Sequence, residues 1–162
     1  MPLISDDSLN KLAFVLIGAG LTWLHQQYRL ARSEDVALVN EHIKDIEKFA
    51  EAARDYWLST PTSNDVSLAA KVRAAHAATT LLYPKMVKAC DAAGDDYERA
   101  YFELYDAATG HTFESPTRAL EPEIGILVHD KAARLIHILR SCRSDIQSLS
   151  RLFNRLTIDF KS

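Results

Sequence analysis

Along most of this chain, apolar residues recur in alternating steps of three and four, the spacing of one buried face of an α-helix. Val36, Val39, Ile43, Ile46, Ala50, Ala53 and Trp57 form one such seam. Two arrangements are open at its start. Ser33 can act as an N-cap, with Glu34 and Asp35 in a first turn whose dipole favours anions. Alternatively, the helix continues straight from the residues before it. Pro61, within Ser59-Thr60-Pro61-Thr62-Ser63-Asn64, stops the seam.

A second helix follows, capped by Ser63 or Asn64, with its seam at Leu68, Val72, Ala75, Thr79, Leu82, Met86 and Ala89. Its many alanines permit close neighbours. Pro84 is expected to kink or break this helix, because its nitrogen cannot donate a hydrogen bond, and Gly94 is expected to end it. Asp95 and Asp96 start a short helix over 97–108, with Gly110 as its stop. His111 to Leu120 is the one long irregular stretch, and functional residues concentrate in such loops.

The last helix opens at Glu121-Pro122-Glu123 and carries the strongest periodic signal: Val128, Ala132, Leu135, Leu139, Cys142, Ile146, Leu149, Phe153, Leu156 and Phe160. No strand pattern competes. The prediction is an all-α protein, an antiparallel bundle of about four helices with a long C-terminal helix.

Leu12 to Leu24 departs from the amphipathic pattern, being apolar all round a helix, so lipid or a wholly buried position is expected. Lys11 and Arg29 bracket 17 residues, about 26 Å of helix at roughly 1.5 Å per residue. That falls slightly short of a hydrocarbon core of about 30 Å, a gap that snorkelling side chains can close. Trp23 and Tyr28 suit an interface. The reading is a membrane anchor over residues 1–28, with Leu12, Phe14, Leu16, Ile17, Leu21, Trp23 and Leu24 in lipid, followed by a bundle over 33–162. Arg29 and Arg32, set against a leader without Lys or Arg before Lys11, orient the bundle toward the cytoplasm of a bacterial inner membrane. A wholly cytoplasmic bundle is the alternative.

Composition adds little. Five Gly and five Pro among 162 residues agree with long helices and few turns. Two cysteines provide neither a disulfide framework nor a zinc site, and suit a reducing compartment. The net charge of -3 hides an asymmetry: residues 124–162 hold 7 basic and 3 acidic side chains, whereas the rest is acidic. Attraction between acidic and basic helices of one bundle accounts for this. Arg140, Arg143, Arg151 and Arg155 also form a candidate basic surface for nucleic acid or anionic lipid. The lack of stacking aromatics there counts against single-strand recognition.

Chemistry-bearing patterns are sparse. No Glu has a His three residues later and no His-Glu-x-x-His occurs, so no metal or cofactor is expected. His42, His76, His129 and His137 are read as hydrogen-bonded helix residues. Arg73 and His76, and again Arg134 and His137, give Arg-x-x-His on two helices. In pairing Arg with His on a helix, this resembles the helical HEPN-type RNases. Their motif places four to six residues between the two, against two here. What the resemblance implies is RNA cleavage by an RNase-like toxin or effector, with Arg134 and His137 the better pair. The favoured expectation is a non-enzymatic, membrane-tethered interaction or scaffold module, acting on a protein partner or a second copy through helix packing.

Overall fold

The computed structural model describes residues 6–61, 65–90 and 93–147, with side chains from residue 11 onward. Four helices account for nearly all of it: α1 (Asp6–Leu58), α2 (Asp65–Cys90), α3 (Gly94–Thr109) and α4 (Pro122–Gln147). No strand occurs among the described residues. The described residues divide into two units, one up to Asp35 and one from Val36 onward.

In the second unit every helix runs opposite to its sequence neighbours. Phe49 meets His76 across α1 and α2, and Tyr56 shares a cleft with Ala69 one turn from the start of α2. Tyr83 bonds Glu98 while the His76 ring meets that of Tyr105, so α2 and α3 oppose. Glu103 of α3 receives Lys131 of α4, and Arg143 near the end of α4 reaches back to Asn40. The core forms where the seams meet. Val128, Ala132, Leu135, Leu139, Cys142 and Ile146 are all buried, as are Val39, Ile43, Ile46, Ala50, Ala53 and Trp57. Phe49 and Tyr56 widen the α1 stripe and are equally buried. The Trp57 indole N–H, which would be an unsatisfied donor in this core, donates to the Ala108 carbonyl at 3.0 Å.

Several local expectations change. Ser33 does not cap a helix: α1 passes through it, and its hydroxyl donates to the Leu30 carbonyl at 2.8 Å. Pro84 does not end α2, which continues to Cys90. Gly94 opens α3 instead of closing α2, and no glycine adopts the positive φ of a left-handed cap. Gly110 does close α3. Its N–H donates to the Asp106 carbonyl, and a Cβ there would lie 2.5 Å from that oxygen. Ser63, Asn64 and the seam from Leu149 to Phe160 lie outside the described residues.

The expected membrane-spanning helix is the main correction. No helix among the described residues is long and apolar enough to cross a membrane. The reason is length. Asn10 and Lys11 on one side and His25-Gln26-Gln27 on the other confine the apolar run to 13 residues, about 20 Å of helix. Nor are these side chains buried in protein: Leu12, Phe14, Leu16, Ile17, Leu21, Trp23 and Leu24 are 57–75% exposed. At about 100° per residue they cover little more than half of the circumference of α1. Val15, also exposed at 66%, lies on the opposite side, next to a stripe of small residues at Gly18 and Thr22.

Candidate functional site

The loop between α3 and α4 is a chain of tight turns, not irregular backbone. Phe113, Ser115 and Arg118 donate their N–H groups to Gly110, Thr112 and Ser115 in succession, and the Thr112 hydroxyl ties back to Glu121 at 2.9 Å. Two non-glycine residues here, His111 at φ 55° and Glu114 at φ 60°, hold left-handed backbone. Each such position costs on the order of 1 kcal/mol and persists only when the surroundings enforce it.

Phe113 packs on the Tyr56 and Trp57 rings, and Arg118 ties the far end of the loop to α1 and α2. The Arg118 side chain is 1% exposed. It donates to the Tyr56 and Ser59 carbonyls at 2.9 and 3.1 Å and to the Asp65 carboxylate at 3.0 Å, with its guanidinium 4.4 Å from the Tyr56 ring. The last carbonyls of a helix lack intrahelical partners and carry partial negative charge. Here a cation from a loop about sixty residues away satisfies two carbonyls at the end of α1. Glu121 N–H takes a third, from Trp57. The buried positive charge is compensated by Asp65 in the first turn of α2. Glu114 is pinned by donating its N–H to the Tyr56 hydroxyl at 2.9 Å.

The pinned loop and α2 enclose two clefts. The larger, about 640 Å³, is lined by Tyr56, Val66, Ala69, Pro116 and the paired Asp65 and Arg118. The smaller, about 390 Å³, is lined by His76, Tyr105, Thr109 and Phe113. Arg73 and Glu114 line both, and their ion pair of 2.9 Å, well exposed on both sides, stands where the clefts meet. The His76 ring lies 4.4 Å from that of Tyr105, and its Nε2 is 3.4 Å from the Tyr101 hydroxyl, which also contacts Thr79 at 2.9 Å. Burial lowers the His76 pKa, so the imidazole is neutral near pH 7. Tyr83 continues the aromatic wall: it contacts the Phe102 ring, donates to Glu98, and is pushed up to about 12 by burial and then by that carboxylate.

The other Arg-x-x-His pair has a different setting. Arg134 donates to Glu103 at 2.9 Å, alongside Lys131. The hydrogen bond from Lys131, and then the charge of Arg134, hold the Glu103 carboxyl below its usual range. His137 is exposed, and neither Arg134 nor His137 lines the two clefts. Of the basic residues on α4, Arg143 donates to Asn40 at 2.8 Å and Arg140 shares a shallow groove with Glu47 and Glu51 of α1, so both face the acidic helix. Arg151 and Arg155 lie outside the described residues. His42 is buried and bonded to the Tyr97 hydroxyl at 2.8 Å, and Cys90 and Cys142 are buried thiols. Among the described residues no group of three or more His, Cys, Asp or Glu could hold a metal ion.

The sequence marked the loop as a place where function concentrates and named Arg73 and His76, but nothing in it joined them. Glu114, Tyr105 and Phe113 carry no motif. Tyr105 reaches α2 through the packing of α3, and Phe113 and Glu114 reach it through the fold of the loop, held by Tyr56, Trp57 and Arg118. No protein-family model, curated protein or solved structure matches this chain.

Proposed function

We propose that this protein is a non-enzymatic interaction module, held at a membrane by its apolar leader and presenting the helical bundle as its working surface. The observation that carries the reading is the exposure of eight large apolar side chains from Leu12 to Leu24, around most of the circumference of one helix. An exposed apolar surface of that extent marks an interaction site. A partner helix covers a single stripe, whereas lipid covers every face at once, which favours lipid as the occupant. The run is too short to cross, so it enters one leaflet, with Lys11 and Arg29 at its two ends reaching headgroups. Arg29 and Arg32 favour the anionic cytoplasmic leaflet.

Flotation with vesicles of neutral and of mixed anionic lipid tests this. The full chain should float with both and resist high salt, because apolar burial is not screened. Deletion of residues 1–28 should leave a folded bundle that stays at the bottom of the gradient. Full-length protein that stays at the bottom with either lipid would overturn the proposal.

A further inference from the structure

We infer that the paired clefts of α2 and the α3–α4 loop bind a small aromatic carboxylate, whose carboxylate takes Arg73 from Glu114 and whose ring lies among His76, Tyr105 and Phe113. This site is independent of membrane attachment. Its size is right: about 390 Å³ for the ring side, opening onto about 640 Å³ beyond the ion pair, within the range of small-molecule pockets. Its walls are flat. Three rings line the smaller cleft, and aromatic faces favour a stacked or edge-on planar ligand.

The charge arrangement selects the head group. Asp65 and Arg118 neutralise each other within the wall, leaving Arg73 as the cation available to a ligand and Glu114 as its present partner. An exposed ion pair of this kind contributes about 0–1 kcal/mol, so exchanging one carboxylate for another costs little. Glu114 shows which chemistry Arg73 accepts at 2.9 Å, a planar monoanion. The cleft is also preorganised: Arg118 and the Tyr56 hydroxyl fix the loop before any ligand arrives. Displaced from Arg73, the Glu114 side chain is free to turn to solvent while its backbone stays anchored.

Calorimetric titration of the full chain with indole-3-carboxylate and with its neutral amide tests the site, with NMR of the His76 ring as an independent readout. The carboxylate should bind saturably and shift the His76 resonances, while the amide binds about threefold to fivefold more weakly. Arg73→Gln should weaken the carboxylate by a similar factor. Glu114→Gln, which removes the internal competitor, should tighten it several-fold, a gain that a merely structural role for Glu114 cannot produce. Equal binding of acid and amide, a Glu114→Gln variant that binds no tighter than the parent, or no saturable binding at millimolar ligand would each overturn the inference.

Discussion

His42 is fully buried, its Nε2 on the Tyr97 hydroxyl at 2.8 Å and its Nδ1 without a hydrogen-bond partner. Burial pushes its pKa down from 6.5 to about 4, with the charge of Asp45 opposing. The unfolded chain therefore takes up a proton below about pH 6.5 that the folded chain refuses until about pH 4. Stability is fully present above the upper value and falls as the pH drops between the two. At about 1.4 kcal/mol per pH unit, His42 alone removes about 3 kcal/mol across that window. Such a loss is a large share of the 5–15 kcal/mol typical of a domain. The assay is urea unfolding of the bundle at half-unit steps from pH 7.5 to 4.5, compared with a His42→Leu/Tyr97→Phe double variant. The second change matters because Leu alone would strand the Tyr97 hydroxyl, at about 1–3 kcal/mol. The parent should lose stability more steeply than the variant by nearly the full His42 amount. His76, whose pKa is also lowered, titrates in both proteins and cancels in the difference. Parallel pH profiles for parent and variant would refute the reasoning.

Two further substitutions probe the loop. Arg118→Ala leaves two helix-end carbonyls and the Asp65 carboxylate without their cation. The expected loss in urea unfolding is about 3 kcal/mol, the low end for a broken buried pair because Asp65 keeps some contact with water. A loss under about 0.5 kcal/mol, the scale of ordinary surface changes, would contradict the capping role. Gly110→Ala drives a methyl against the Asp106 carbonyl oxygen and should lower stability by about 1–3 kcal/mol. An alanine variant as stable as the parent would show that the backbone there yields freely.

How much was legible in the residues follows from the physics of each element. The seams of α1 and α4 were readable because burial on one face imposes a period that a long helix repeats many times. That of α2 was readable in part, with Val72, Thr79 and Met86 buried but Leu68, Ala75, Leu82 and Ala89 only half-buried and Ala69 and Cys90 buried instead. Val128 to Ile146 is the clearest case. Ends were harder to read. Gly94 and Ser33 have the residue types of caps, yet Gly94 opens a helix and the Ser33 hydroxyl turns back on its own. Pro84 is tolerated because α2 loses one donor while its packing, with Met86 and Cys90 buried beyond it, is retained. The clefts were hidden for a different reason. They depend on Arg118 reaching across about sixty residues of sequence to Tyr56 and Ser59, a long-range contact without local periodicity or composition to announce it. The leader illustrates a third limit. Hydropathy identified its all-round apolar character, but whether 13 residues span or only enter a bilayer turns on flanking polar side chains.

Trp23 offers the most direct test of attachment, since it is exposed on the leader while Trp57, the only other tryptophan, is fully buried in the bundle. Fluorescence of the full chain should be recorded with vesicles whose lipids carry bromine at defined acyl depths, with Trp23→Phe as the control. Quenching by shallow and mid-leaflet bromines that disappears in the control places Trp23 in lipid, as proposed. Emission that the brominated lipids leave unchanged, or a Trp23 already shielded in a defined oligomer without lipid, would contradict it.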